Sequence, residues 1–119
     1  MKVEVRITKN FKKKAKPLIK KYSSFLADLE KLEAELTKNP KLGTPLGKNA
    51  YKIRLKIDSK GKGKSGDARV ISRLESEILG TIETEAEKTI VNLISVYDKS
   101  TKASVTDAEL KQLIESMEI

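Results

Sequence analysis

Between Tyr51 and Asp58 the chain reads Tyr-Lys-Ile-Arg-Leu-Lys-Ile-Asp, and this alternation constrains the fold more than any other stretch. Side chains along a strand alternate with a period of two, so Tyr51, Ile53, Leu55 and Ile57 share one face while Lys52, Arg54 and Lys56 share the other. The first face needs a core. The second is poorly suited to one, because unpaired buried charge is very costly, and three cations in a row suit a polyanion. After a glycine-lysine stretch, Asp67-Ala-Arg-Val-Ile-Ser-Arg73 reads as a further strand. Tyr51–Arg73 therefore predicts a strand, a loop and a strand that together build a phosphate-binding surface. Arg69 and Arg73 also alternate and share a face. Up to five cations converge if the register suits, but register is not readable from the sequence. The alternative for the Lys52/Arg54/Lys56 face is an edge strand protected from aggregation by its charge.

The loop between these strands, Lys60-Gly-Lys-Gly-Lys-Ser-Gly66, places Lys60, Lys62 and Lys64 where a phosphate backbone can be followed. Gly63-Lys64-Ser65 resembles the end of a nucleotide-binding P-loop. That motif needs a glycine where Asp58 stands and a helix where a strand follows, so a hairpin connection with glycines at positive φ is preferred.

The remaining elements frame this unit. Val3, Val5 and Ile7 alternate with Lys2, Glu4 and Arg6, as in a half-buried strand. Thr8 can cap a helix whose stripe is Phe11, Ala15, Leu18, Ile19 and Tyr22, and Pro17 should kink it or delay its start. Ser23 or Ser24 can cap a second helix, with Phe25, Leu29, Leu32 and Leu36 inward and Pro40 closing it. Residues 41–50 read as a loop. Residues 74–87 extend the strand, form a short helix or make a long hairpin arm. Thr89–Tyr97 is apolar on both faces apart from Asn92 and Ser95, as in a central strand. Thr106-Asp-Ala-Glu109 is a capping box for a helix with Leu110, Leu113, Ile114 and Met117 on one side. The order strand, helix, helix, strand, strand, strand, helix predicts one α+β domain over residues 1–119. Its expected core is a mostly antiparallel four-stranded sheet, packed by an N-terminal helical hairpin and carrying a C-terminal helix, with the helices on one side.

The net charge is +8, and its distribution says more than its size. Lysine and arginine crowd residues 1–22 and 48–73, whereas acids dominate 74–119. Such segregation suggests a nucleic acid or other polyanion as partner. Aromatic residues make up 4% of the chain, which leaves few rings for stacking bases. The sequence contains neither cysteine nor histidine. Thiolate chemistry and histidine bases or metal ligands are thus excluded, and acid–base work falls to Lys, Arg, Tyr, Asp or Glu. The acids of 75–87 look like a solvated face, with no metal constellation. No apolar run suggests a secretory signal or membrane span, so a cytoplasmic protein is expected. Tyr97, at a strand end, reads as structural or as a proton donor or base-stacking ring.

Several stretches carry a resemblance in their order and spacing. They are Asn10-Phe-Lys-Lys, Gly43-Thr-Pro-Leu-Gly47, Tyr51-Lys-Ile-Arg-Leu55, Lys60 to Gly66, Ala68-Arg-Val-Ile71 and Leu93-Ile-Ser-Val-Tyr-Asp-Lys-Ser100. Over nearly its whole length the chain resembles the RelE/ParE superfamily of bacterial type II toxins. It looks closest to the RelE-like branch, with a glycine-lysine-rich loop before an Arg-Val-Ile strand. The resemblance implies a small basic toxin that enters the ribosomal A site and cuts mRNA, with no metal or other cofactor. In that chemistry the 2′-hydroxyl attacks the adjacent phosphate, while Lys, Arg and sometimes Tyr handle protons and charge. A cognate antitoxin is the implied protein partner, wrapping the basic sheet or displacing the C-terminal helix. No membrane partner is implied.

Carried over by position, Lys52 and Arg54 match the paired basic residues of the family's second strand. Arg69 matches the arginine expected to hold the scissile phosphate. Lys99 falls near a family arginine after the last strand, and Tyr97 is the candidate to replace a C-terminal tyrosine whose place Val105 takes. Lys56, Lys60, Lys62, Lys64, Arg73 and Lys102 are the expected RNA-binding cations. Two further departures are Asp67, where glycine is expected, and the length of 75–87. Asp67 and the missing tyrosine favour a non-nuclease alternative: a ParE-like gyrase inhibitor, or a toxin fold that only binds its antitoxin.

Overall fold

The computed structural model describes residues 2–60, 67–79, 86–102 and 104–117. Among them, strand β1 (Lys2–Ile7) leads into helices α1 (Lys9–Lys21) and α2 (Phe25–Lys38). Strands β2 (Thr44–Gly47) and β3 (Ala50–Lys56) follow, then a 3-10 turn (Asp58–Lys60). Strands β4 (Asp67–Leu79) and β5 (Ala86–Asp98) come next, and helix α3 (Asp107–Glu115) follows them.

The strands form one five-stranded sheet in the order β1-β5-β4-β3-β2. β1 runs parallel to β5, and the other pairings are antiparallel. The α+β class is as expected, but the four-stranded sheet is not. The added strand is β2, read from the sequence as loop. Gly43 has φ +106°, and a Cβ there would stand 2.5 Å from the Lys52 carbonyl oxygen, so only glycine lets the chain lie this close to β3. Lys48 and Asn49 then take positive φ as a two-residue hairpin turn closed by the Gly47–Ala50 pair.

The helices do not lie on one side. α1 and α2 cover one face, where Phe11, Ala15, Leu18, Phe25, Leu29, Leu32 and Leu36 pack on Ile53, Leu55, Val70, Val91, Leu93 and Val96. α3 covers part of the other, where Leu110 meets Ala50, Ile71 and Ile94. A central strand that is apolar on both faces requires this second cover. α1 runs unbroken through the exposed Pro17. Positions 11, 15, 18 and 22 already fill its buried stripe, which leaves Ile19 exposed. Ser24 sits at the α2 N-cap position without capping the backbone. Its hydroxyl donates to Asp28 Oδ2 at 2.7 Å and binds Ser59, clasping the 3-10 turn to the helix.

Residues 74–87 are, where described, a hairpin arm. β4 and β5 stay paired out to Leu79–Ala86, beyond the last pairs made by β1 and β3. No helix among the described residues is long and apolar enough to cross a membrane.

Candidate nucleic-acid interface

The register left open by the sequence places Arg54 directly opposite Arg69. Arg69 in turn stands opposite Tyr97. Arg54, Arg69 and Tyr97 therefore form a row across β3, β4 and β5, on the face that carries α3. Lys52, opposite Ile71, lies on the next rung, and Lys56, opposite Asp67, on the rung after the arginines. Two like charges facing each other across a ladder destabilise a sheet by a few tenths to about 1 kcal/mol. The fold tolerates this at the sheet end where β3 finishes, β4 begins and β5 finishes.

Elsewhere on the same face, cations have carboxylate partners close by. Glu4 takes Arg6 and also Lys88, the latter at 2.6 Å. Arg73, four residues along β4 from Arg69, donates to the Lys48 carbonyl at 3.2 Å and lies 3.6 Å from Glu75. It stands opposite Ala50, where β3 begins, and does not join the row. Around the row, the described partner is Asp67, which is buried and ion-paired with Arg54. The carboxylate found where glycine was expected thus holds one of the two opposed arginines, while the other donates to the carbonyl of its own strand neighbour Ala68 at 3.2 Å.

Tyr97 reaches this face through a bulge. Ile71 pairs with Ser95 but Ser72 pairs with Leu93, so Ile94 is one residue too many on β5. Simple alternation from Val91 and Leu93 would put Tyr97 under α1. The extra residue reverses the parity, so that Val96 joins the α1 core and Tyr97 packs beside α3. The start of α1 fixes the bulge. Thr8 Oγ1 donates to the Leu93 carbonyl and Asn10 Nδ2 to the Ile94 carbonyl, both at 2.9 Å. They occupy the β5 edge just past the last β1 pair, Ile7–Leu93.

The Tyr97 hydroxyl is shielded from solvent and makes no hydrogen bond among the described residues. Burial pushes its phenol above the ordinary value. The Arg69 and Lys102 charges and the nearby Ser104 hydroxyl oppose that rise, and Glu109 adds to it. The phenol is therefore protonated at neutral pH, a donor and not a base. Lys102 Nζ lies 6.0 Å from the ring centroid and pairs with Glu109. This pairing and the capping box with Thr106 hold the Glu109 carboxyl below its ordinary value.

The structure thus brings Lys52, Arg54, Lys56, Arg69 and Tyr97 onto one face, with Lys102 beside the tyrosine. Lys99 is exposed in the turn after β5, and its amide bonds the Asp67 carbonyl at 3.2 Å. Lys60 ends the 3-10 turn. Lys62 and Lys64 lie outside the described residues. Among the described residues no group of three or more acids is placed to hold a metal ion.

Sequence reasoning missed a cleft of about 520 Å³ that opens between β5, α1 and α3, beyond Tyr97. Asn10 and Lys14 of α1 and Gln112 and Leu113 of α3 contribute to it. Nothing in the spacing of Asn10-Phe-Lys-Lys says that this stretch meets α3. No protein-family model and no solved structure matches the chain.

Proposed function

We propose that this chain is an endoribonuclease toxin of the RelE kind, which cuts mRNA in the ribosomal A site and is neutralised by an antitoxin protein. The observation that carries the reading is the pair Arg54–Arg69, opposed on one rung with Tyr97 next in line. Two guanidiniums side by side form a site for a phosphodiester, whose equatorial oxygens accept their forked donors. In the reaction the 2′-oxygen bonds to phosphorus and the P–O5′ bond breaks. Arg69 stabilises the charge that develops on the phosphoryl oxygens. The departing 5′-oxygen takes a proton from a protonated donor, the state in which burial keeps Tyr97. Lys52, one rung away on the same face, is assigned the 2′-hydroxyl proton.

Two observations favour the second reading, a toxin fold that only binds its partner. Asp67 occupies Arg54, and the Tyr97 hydroxyl is covered. Catalysis requires RNA to displace the carboxylate and to gain access to the covered phenol. The deciding experiment is expression in bacteria with mapping of mRNA ends. Cleavage within translated frames, abolished by a folded Arg69→Ala variant, supports the ribonuclease. Arg69→Ala that folds and arrests growth as well as the parent refutes the site. DNA damage with intact mRNA supports gyrase inhibition, and neither effect supports a binding-only protein.

A further inference from the structure

The cleft beyond Tyr97 is not used by the arginine row, and its chemistry is different. We propose that it receives a nucleobase of single-stranded RNA, next to the nucleotide whose phosphate lies on Arg54 and Arg69. The inference rests on the polyanion reading of that row and names what lies at its end. The row steps across three strands at about 4.8 Å spacing and runs into the cleft at Tyr97, within reach of a short single-stranded segment.

Two walls of the cleft are apolar, from Val105 beside the β5 exit and Leu113 on α3. Its polar groups are the Asn10 and Gln112 amides, the Ser95, Tyr97 and Ser116 hydroxyls, the Glu109 carboxylate, and two lysines, Lys14 from α1 and Lys102 after β5. Sites for small planar ligands combine an apolar body with a few such groups, in volumes of roughly 300–1,000 Å³. A base fills the apolar part, the Gln112 amide reads its edge, and Lys14 meets a neighbouring phosphate, while Lys102 stays on Glu109. The Asn10 bond to the Ile94 carbonyl holds the α1 wall against β5, so the cleft is built on the same contact that fixes the bulge. Tyr97 is the shared wall between phosphate row and base cleft.

The test titrates adenosine 5′-monophosphate, ribose 5-phosphate and a three-nucleotide RNA into the isotope-labelled chain, followed at the Val105 and Leu113 methyls. The monophosphate should bind about tenfold tighter than ribose 5-phosphate, the order of gain from burying one base. The methyls should move with the nucleotide and the RNA but not with the sugar phosphate. The RNA should bind more tightly still, and Arg69→Ala should remove that extra gain while the base-dependent gain survives. Leu113→Trp fills the cleft and should abolish the base-dependent gain, leaving sugar phosphate binding unchanged. Ser116→Tyr narrows the cleft from the exposed end of α3 and should act likewise where the first variant is unstable. Equal binding of nucleotide and sugar phosphate, absence of binding by either, or unmoved methyls would overturn the proposal. A trinucleotide no tighter than the mononucleotide overturns the path from row to cleft and marks a free-nucleotide site. Base-dependent RNA binding with mRNA left intact on expression upholds the cleft and removes the endonuclease reading alone.

Discussion

Replacing Asp67 by asparagine separates what holds the sheet end together from what it binds. The Asp67 side chain is 5% exposed and its partner Arg54 63% exposed. Asparagine keeps the volume and still accepts a hydrogen bond, and the released guanidinium has water to turn to. The stability cost is therefore closer to that of a screened surface pair than of a buried one, about 1 kcal/mol or less. For a domain of this size that lowers Tm by roughly 4 °C. The effect on anion binding has the opposite sign. Asp67 and Arg69 are two residues apart on one strand face, so the carboxylate stands about 7 Å from a phosphate held by Arg69. At that separation two unit charges interact by about 0.6 kcal/mol at the permittivity of water and about 2.4 kcal/mol at an effective value of 20. Salt screening favours the lower end. Asp67→Asn should thus tighten binding of a short single-stranded RNA by roughly three- to tenfold at low salt, the effect shrinking as salt is added. Fluorescence anisotropy with labelled RNA reads the affinity, and circular dichroism reads the melting. A folded variant with unchanged or weaker RNA binding would refute the placement of phosphate on this row. A fall in Tm well beyond 10 °C would refute the assignment of Asp67 as a screened partner, roughly by the same scale.

Three further outcomes follow from particular contacts. The raised Tyr97 phenol favours folding fully below the ordinary tyrosine value of 10.0, and that contribution is lost as pH rises through the folded value. Tyr97→Phe, which also removes an unpartnered buried hydroxyl, should leave neutral-pH stability unchanged or slightly higher and flatten the alkaline unfolding curve; an unchanged alkaline slope would contradict this. Gly43→Ala meets the Lys52 carbonyl and an unfavourable φ, and should cost roughly 1–3 kcal/mol in urea unfolding, whereas an unshifted midpoint would mean that β2 does not lie where described. Tyr22 donates to buried Asp98 Oδ2 at 2.7 Å, so Tyr22→Phe should cost about 1–3 kcal/mol in the same assay, with a neutral result arguing against that buried bond.

Much of this architecture is legible in residue order, because local periodicity and capping are local physics. The alternation of Tyr51–Ile57, the stripes of α1 and α2 apart from the exposed Ile19, and the Thr106–Glu109 box stand where the sequence puts them. The two-faced apolar run Thr89–Tyr97 already required cover on both sides, and the expectation of helices on one side ignored it. What was not legible depends on distant partners. Parallel pairing of β1 with β5 joins residues more than eighty positions apart. The β2 turn uses Lys48 and Asn49 at positive φ, where a glycine would have announced it. The Arg54–Arg69 rung could be foreseen as a face but not as a register. The Ile94 bulge left no local mark, since any apolar residue serves there.

That bulge makes the site depend on counting. Every position after Ile94 is addressed by its parity, much as codons after an insertion are addressed by frame. Straight pairing with every residue kept would still make an apolar strand, yet would turn the phenol toward α1 and set Val96 beside Arg69. Substitution scanning cannot detect this dependence, because each side chain there can change without changing the count. Deleting Ile94 would remove the bulge and keep the face that Tyr97 shares with the arginines, whereas inserting one residue between Ser95 and Tyr97 would turn the phenol away from them.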